Sequence, residues 1–172
     1  MIDILFNKEI YDRVIIDLVP KAREFLWIGT ADLKDLYVTK GQKMVPFLEI
    51  LSDLIKKKVE VRLIHAKEPG PIFRKDFDRY PALFSGLERV LCPRVHFKMV
   101  IVDGQWAYCG SANLTGAGLG AKNDRNRNFE NGFLTDEGRI IEGLMEQFDS
   151  VWRGDHCPKC GRKDFCIDCP LD

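Results

Sequence analysis

The sequence predicts an α/β fold in which a mixed β-sheet is flanked by helices on both faces, followed by a small C-terminal metal-binding knuckle. Short apolar runs, such as residues 24–31 and 59–66, have the length and composition of buried strands. Segments with apolar residues at every third or fourth position lie between these runs. Because the two patterns do not alternate strictly, we expect both parallel and antiparallel strands.

The composition is that of a soluble globular protein. The chain has 172 residues, of which 45% are hydrophobic and 30% charged, so we expect a domain at residues 1–153 and an appendage at residues 154–172. Lys and Arg together number 26, as do Asp and Glu, so any anion site must be local. No signal peptide or membrane-spanning stretch is evident, and we expect a cytoplasmic protein that does not bind membranes.

The first half of the chain predicts two helices and two strands. A first helix follows Asn7, a residue suited to cap it, and ends or kinks at Pro20, with an apolar stripe of Ile10, Val14, Ile15 and Leu18. Residues 24–31 predict a buried strand. Residues 42–57 predict an amphipathic helix, and residues 59–66 a second strand.

The middle of the chain predicts a hairpin. Residues 67–86 contain three prolines and are expected to be irregular. Residues 89–92 and 95–102 predict strands. Asp103-Gly104 is a hairpin turn signal, and residues 106–109 predict the returning strand.

The last third predicts a loop, a strand and a helix. Residues 114–128 are rich in Gly and Asn and are expected to form a loop, followed by a strand at residues 129–134. Thr135 or Asp136 is expected to cap a final helix, whose apolar stripe is Ile140, Ile141, Leu144, Met145, Phe148 and Trp152.

A histidine and a lysine lie two residues apart in the predicted strand 95–102. Side chains two apart in a strand share a face, so His96 and Lys98 are expected to point the same way. An imidazole beside an ammonium is a poor structural pair, but it suits a phosphate, which the lysine holds and the imidazole attacks. The hairpin brings Ser111 and Asn113, with their hydroxyl and amide groups, back beside this pair.

This constellation resembles the HKD motif of the phospholipase D superfamily. The likeness covers residues 1–153. The matched residues, in order, are His96, Lys98, Asp103, Gly110, Ser111, Asn113 and, as the Asn-x-Glu that follows, Asn128-Phe129-Glu130. The resemblance implies that His96, Lys98, Asp103, Ser111, Asn113 and Glu130 form the catalytic set, with Lys98 and Asn113 also binding substrate.

Two of these residues have distinct expected roles, and one similar sequence elsewhere lacks the rest of the motif. Asp103 lies in the turn, out of phase with the other motif residues, so we expect it to act mainly on the structure. The resemblance implies that Glu130 orients the imidazole, as a carboxylate does in a hydrolase triad. A second H-x-K sequence, His65-Ala66-Lys67, is not followed by the rest of the motif, and His65 is expected to be structural.

The chain carries one copy of the motif, whereas the chemistry of the resembled family uses two histidines. One attacks phosphorus to form a phosphohistidine, and the other protonates the leaving oxygen and then activates water. We therefore expect a homodimer with a composite site on a twofold axis, as in the short single-motif endonucleases of that family. No catalytic metal is expected, and the rate should depend on pH as a bell-shaped curve.

Four cysteines near the C-terminus form two C-x-x-C pairs. Cys157, Cys160, Cys166 and Cys169 are expected to bind one structural zinc ion. An iron–sulfur cluster is the alternative, since a proline follows the last cysteine. We interpret His156 as a bystander. Cys92 and Cys109 stand alone among apolar residues and are expected to be core residues.

The substrate is predicted from charges near the motif. Lys122, Arg125 and Arg127 follow the Gly-Ser-x-Asn turn and, with Arg74, Lys75 and Arg79, could follow a nucleic-acid backbone. A DNA or RNA endonuclease is therefore the leading hypothesis. A phospholipid or small phosphodiester hydrolase is the alternative, with an apolar rim from Phe73, Phe77, Tyr80 and Phe84. The third is a catalytically idle nucleic-acid-binding module.

Overall fold

The structure is a computed structural model that describes residues 1–34, 36–120 and 122–169. Nine strands lie in this part of the chain: β1 (Ile2–Phe6), β2 (Phe25–Thr30), β3 (Tyr37–Lys40), β4 (Lys43–Pro46), β5 (Glu60–His65), β6 (Leu87–Leu91), β7 (Met99–Val102), β8 (Trp106–Gly110) and β9 (Asn131–Thr135). Seven of them form one sheet in the order β1-β9-β8-β7-β2-β5-β6. Strands β2, β5 and β6 are parallel, and the other neighbours are antiparallel, which confirms the predicted mixed sheet.

The helices flank this sheet. They are α1 (Lys8–Ile10), which continues through wider π-helical turns at Tyr11–Leu18, then α2 (Phe47–Lys56), α3 (Pro71–Phe77), α4 (Ala82–Gly86) and α5 (Gly138–Trp152). A single 3₁₀ turn at Val19–Lys21 contains Pro20 and ends the first helix, as predicted. Further 3₁₀ turns occur at Asp124–Asn126, Cys157–Lys159 and Lys163–Phe165.

Helices cover both faces of the sheet, as predicted. On one face, the apolar stripes of α1 and α2 pack against inward residues of β2, β5, β7 and β8 in the larger hydrophobic core. On the other, α5 packs through Ile141 and Phe148 in a smaller core. The Phe148 ring stacks on Trp27, with 5.0 Å between ring centroids, and on Trp152, with 6.0 Å.

Two predicted segments differ from the structure, and one strand was not predicted. The helix expected at residues 42–57 begins at Phe47, because the preceding residues form strand β4 and pair with β3. Gly41, at a φ of 62°, makes the turn between these two strands. The segment 67–86, expected to be irregular, contains α3 and α4. Strand β1 was missed, and it pairs antiparallel with β9 at the sheet edge.

The β7–β8 hairpin forms as predicted and places the motif at one end of the sheet. Asp103 and Gly104 have φ angles of 53° and 62°, and the Gln105 N–H donates to the Val102 carbonyl at 3.0 Å. Beyond the last ladder pair of the hairpin, the Gly110 N–H donates to the Lys98 carbonyl at 3.1 Å. The carboxyl ends of β2, β5, β6 and β8 therefore lie at the same sheet end as Lys98.

Candidate active site

His96 and Lys98 lie in an extended segment just before β7, rather than within the strand predicted at residues 95–102. Their side chains nevertheless meet: the Lys98 Nζ atom lies 3.2 Å from Nδ1 and 3.4 Å from Nε2 of His96. The ammonium also donates to the His96 carbonyl at 2.7 Å. His96 is exposed and Lys98 is buried, so an accessible imidazole sits beside a held ammonium.

The ammonium of Lys98 is electrostatically unusual. Burial lowers the pKa of Lys98 from its ordinary value, and the nearby carboxylate of Glu130 opposes that shift. A buried ammonium lacking most of its water has a strong affinity for an anion that can enter the site. The position beside His96 is therefore suited to a phosphoryl group.

Ser111 and Glu130 are bonded to each other at the ends of β8 and β9. The Ser111 hydroxyl donates to Oε2 of Glu130 and accepts the Asn131 N–H at 3.0 Å. The Asn128 side-chain amide donates to Oε1 of Glu130 at 3.1 Å. Within the described ranges, the hydrogen bonds of this carboxylate go to Ser111 and Asn128, so its expected contact with the imidazole of His96 stays a prediction.

Asn7 holds Glu130 in place. The Glu130 N–H donates to Oδ1 of Asn7 at 2.9 Å, and the Asn7 N–H donates to the Glu130 carbonyl at 2.9 Å. Asn7 was predicted to cap α1 with its side chain, and that prediction is wrong: it precedes the helix with a φ of 51°, and its side chain bonds Glu130 instead. The side-chain amide of Asn7 makes a long-range contact that the local sequence pattern does not predict.

Asn113 is positioned by the end of β2. Its Oδ1 atom accepts the Asp32 N–H at 3.1 Å and the Thr30 hydroxyl at 3.4 Å. The Thr30 hydroxyl also accepts the Leu114 N–H at 2.9 Å, which ties the loop to the strand. Because Oδ1 is an acceptor in these bonds, Nδ2 is the amide atom that can donate to an anion. Thr30 and Asp32 are supporting residues that sequence reasoning missed.

Two facing glycines allow the Ser111 turn to approach β9. Gly110 pairs with Gly132 in the ladder. A Cβ atom at Gly110 would overlap the Tyr108 hydroxyl and the Asn131 carbonyl. Tyr108 is fully buried beneath the turn, and burial raises its pKa. The glycine of the motif is thus required by close packing of backbone against backbone.

Asp103 lies at the opposite end of the hairpin from Lys98. Its carboxylate accepts the backbone N–H groups of Arg23, Glu24 and Phe25, at 2.9–3.2 Å, where β2 begins. The structure therefore separates Asp103 from the other residues of the predicted catalytic set, because a hairpin turn cannot reach the far ends of its own strands. Its contacts are with the sheet.

A groove of about 880 Å³ adjoins the motif residues. Asn113 and Asn128 line it, together with three lysines that come from different loops, Lys34, Lys67 and Lys122. Lys122 was predicted to bind substrate. The other two were not, because each lies in a different part of the sequence from the motif.

The arginines predicted to bind substrate differ in their surroundings. Arg127 lies over the Tyr11 ring, with 5.6 Å from Cζ to the ring centroid, and Arg125 is exposed in the turn Asp124–Asn126. Arg74 is paired with Glu68 at 3.2 Å, and Arg79 with Asp76 at 3.0 Å. Lys75 is exposed on α3.

The predicted apolar rim is mostly packed away. Phe73 is buried in the core, Phe77 and Tyr80 are half-buried, and Phe84 is exposed. The Tyr80 hydroxyl donates to Glu49 at 3.0 Å. One exposed aromatic side chain is a weak basis for a lipid-binding rim. In the described part of the chain, no helix is both long and apolar enough to cross a membrane.

The second H-x-K sequence has a structural histidine. His65 is buried at the end of β5, its Nδ1 atom lies 2.8 Å from the Lys67 carbonyl, and burial lowers its pKa. A buried imidazole that bonds the backbone is unavailable for attack on a phosphate.

The C-terminal cysteines lie close to one another. Cys157, Cys160, Cys166 and Cys169 line one cavity of about 240 Å³. Burial and neighbouring thiols raise the pKa of Cys157, whereas the backbone N–H of Arg162 lowers that of Cys160. Among residues 1–34, 36–120 and 122–169, no three His, Cys, Asp or Glu side chains are grouped closely enough to hold a metal ion. Zinc and an iron–sulfur cluster therefore both stay predictions.

The sequence of the chain matches a protein family, and its structure is similar to those of known proteins. A family model described as "Cardiolipin synthase, PLD-like domain" matches residues 15–152. The chain is similar in structure to Nuc from Salmonella typhimurium, a phospholipase D family member, with a TM-score of 0.61 and 19% identity over 89% of this chain and 94% of that one. It is also similar to NucT from Helicobacter pylori, with a TM-score of 0.61 and 14% identity over 89% of this chain and 97% of that one.

A third similar structure is TrmBL2, an archaeal chromatin protein with a novel mode of DNA binding. Its TM-score is 0.60 and its identity 12%, over 88% of this chain and 52% of that one. No curated protein matches the sequence. At these identities, the likeness to solved structures concerns the fold.

Proposed function

This chain belongs to the phospholipase D-like family, and we propose that it is a metal-independent phosphodiesterase that cleaves nucleic acid with His96 as nucleophile. The observation that carries the proposal is the exposed imidazole of His96 beside the buried ammonium of Lys98, 3.2 Å away. At the same sheet end, the Nδ2 atom of Asn113 provides a further donor. Together these groups can neutralise the charge of a phosphodiester without a metal ion.

The proposed reaction has two steps. In the first, an imidazole nitrogen of His96 forms a bond to phosphorus while the bond from phosphorus to the leaving oxygen breaks, and a second imidazole gives that oxygen a proton. In the second, the now neutral imidazole takes a proton from water, which attacks phosphorus and releases His96. Lys98 and Asn113 hold the non-bridging oxygens throughout.

The second imidazole is proposed to come from a second copy of the chain, across a twofold axis. An exposed apolar surface supports this. Ile2, Ile4 and Phe6 lie on one face of the edge strand β1 and are exposed, while Leu5 between them points into the core. Phe129, which precedes Glu130, is 96% exposed. An apolar edge strand of this kind is a liability unless another chain covers it.

Nucleic acid is the proposed substrate because three lysines from three loops line the groove beside Asn113, where they outnumber the acidic residues Asp32 and Glu68. Lys34 is paired with Asp32 at 2.9 Å, so we propose that Lys67 and Lys122 contact the phosphate backbone. The similar fold of the DNA-binding protein TrmBL2 also supports this choice. Net charge is balanced overall, so the attraction is local to the groove.

The proposal is tested by a cleavage assay without added divalent metal, near pH 6 to 7. Plasmid, single-stranded DNA and RNA are incubated with the wild type, with His96→Asn and with the matched control His156→Asn, which changes an exposed histidine of the C-terminal segment. We expect the wild type and the control to cut, and His96→Asn to lose at least about 10³-fold in rate. Reactions denatured at alkaline pH, where a bond between phosphorus and an imidazole nitrogen survives, should retain labelled phosphate on the wild type and on His156→Asn but not on His96→Asn.

The failures are distinguishable. Equal cutting by His96→Asn would remove His96 as nucleophile. If folded, dimeric wild type cuts no nucleic acid, the assay is repeated with phospholipid vesicles and small phosphodiesters, and cleavage there would replace the substrate class. Tight binding of DNA or RNA without any cleavage would instead favour the idle binding module.

A further inference from the structure

A fifth cysteine lies beside the four of the C-terminal segment. Cys92 lines the same cavity as Cys157, Cys160, Cys166 and Cys169. The sequence predicted a core residue that stands alone. Cys92 does pack against the smaller core, but it does not stand alone, because residues 154–169 fold back against the end of β6. Thiols about 65 residues apart in the chain therefore share one cavity, whose lining also includes Arg94 and Lys163.

The C-terminal segment is attached next to Cys92 by direct bonds. The Leu91 N–H donates to Oδ2 of Asp168 at 2.6 Å, and the Cys166 thiol donates to the Leu91 carbonyl at 3.6 Å. The Cys92 N–H in turn donates to the His65 carbonyl at 2.9 Å. The sheet end and the segment thus hold the two sides of the cavity together.

The C-terminal segment has little apolar burial to hold it in this position. Phe165 and Ile167 are both exposed, and its regular structure is limited to two 3₁₀ turns. A segment that buries so little apolar surface needs another source of order, and clustered thiols are the usual ligands of a structural metal ion. Soft thiolate sulfur selects Zn²⁺ among the common divalent ions.

We propose that Cys92 and three cysteines of the C-terminal segment, Cys166 among them, form one four-coordinate thiolate site for a soft divalent metal ion such as Zn²⁺. The metal fastens the segment to the loop between β6 and His96. The thiols surround the cavity without converging, so binding draws the sulfur atoms inward by side-chain rotation, with release of the thiol protons. Three residues separate Cys92 from His96, so the metal also steadies the loop that carries the proposed nucleophile.

The test measures metal, and its outcome does not depend on the cleavage reaction. The full chain is purified under reducing conditions, and its bound zinc is quantified. The metal is then removed, and the metal-free protein is titrated with Co²⁺. Variants are Cys92→Ser, Cys166→Ser and the matched control Cys109→Ser, which changes a thiol in strand β8. We expect one metal per wild-type chain, and affinity lowered at least about tenfold in Cys92→Ser and Cys166→Ser but not in Cys109→Ser.

A second measurement needs no substitution. Alkylation of each cysteine in the wild type is followed by peptide mass spectrometry, with and without Zn²⁺. We expect the metal to slow alkylation of Cys92 along with that of the C-terminal thiols, and to leave Cys109 unchanged. Two results would show that the C-terminal segment binds the metal without Cys92. One is alkylation of Cys92 that Zn²⁺ does not slow, and the other is a folded Cys92→Ser with the metal affinity and cobalt spectrum of the wild type. Absence of metal binding by the wild type would overturn the site altogether.

Discussion

Asp103 offers the sharpest separation of structural from chemical roles within the motif. The proposed change is Asp103→Gly, because a φ of 53° suits glycine and the substitution removes the carboxylate without adding backbone strain. Asp103→Asn is the matched control. It retains Oδ1, which accepts the N–H groups of Glu24 and Phe25, and loses only Oδ2, which accepts the Arg23 N–H at 3.0 Å.

The expected cost follows from the exposure of the three donors. The N–H groups of Arg23 and Glu24 are exposed and can bond water instead, so losing each bond costs about 0.5–1 kcal/mol. The Phe25 N–H is partly buried, and losing its charged acceptor costs about 1.5–2 kcal/mol. Asp103→Gly should therefore lose about 2.5–4 kcal/mol of unfolding free energy, and Asp103→Asn about 1 kcal/mol.

Urea denaturation followed by circular dichroism measures these losses, and the cleavage assay is run on folded protein at 25 °C. For a chain of this size, the larger loss lowers Tm by about 5–16 °C. We expect the cleavage rate of folded Asp103→Gly to stay within roughly threefold of wild type, in contrast to His96→Asn. Equal stability of Asp103→Gly and wild type would refute the bonding argument. Loss of activity in a folded Asp103→Gly would show that Asp103 takes part in the chemistry.

Three further changes test other features. Gly110→Ala should lower the unfolding free energy, measured by thermal denaturation, by about 1–3 kcal/mol, because its Cβ overlaps neighbouring atoms. The control Gly143→Ala, in open space on α5, should raise the unfolding free energy by about 0.5–1 kcal/mol. The buried ammonium of Lys98 should lose its proton at a pH below 10.5, so KM for a short phosphodiester should rise as the pH is increased towards that value. Lys98→Arg should move this rise to higher pH. A KM that stays constant up to pH 10.5 would contradict the assignment. Ile4→Asp, at a side chain 60% exposed, should yield folded monomers by light scattering, and persistence of the dimer would exclude β1 from the interface.

The parts of the fold that apolar patterns could predict are those stabilised locally. Strand β2 is mostly apolar, β5 carries the buried apolar residues Val61, Leu63 and Ile64, α5 has a regular stripe, and the Asp-Gly dipeptide specifies the β7–β8 turn. Strands β1 and β4 depend on partners elsewhere. Met44 and Val45 fit a helical stripe as well as a strand, and pairing with β3 across the Gly41 turn decides between them.

The candidate site divides in the same way. The spacing of His96, Lys98, Ser111 and Asn113 was readable because a motif preserves short distances along the chain. The residues that hold them were not. Asn7 bonds Glu130 across 123 positions, and the Asp32 backbone bonds Asn113 across 81, so only the folded sheet brings these pairs together. The thiol neighbours of Cys92 were not predicted for the same reason, since they lie in the C-terminal segment.

The pairing of β1 with β9 affects how the protein is made. Strand β1 is synthesised before β9, so Ile4 has no ladder partner until Phe133 is made, on the order of 10 s later. During that time the nascent chain displays an unpaired apolar strand, which is a target for chaperones and for aggregation. The bonds between Asn7 and Glu130 form only after β9 has been synthesised and has paired with β1. A chain released early would carry His96 but lack Glu130, so synthesis itself delays the assembly of the phosphodiesterase site until the sheet closes.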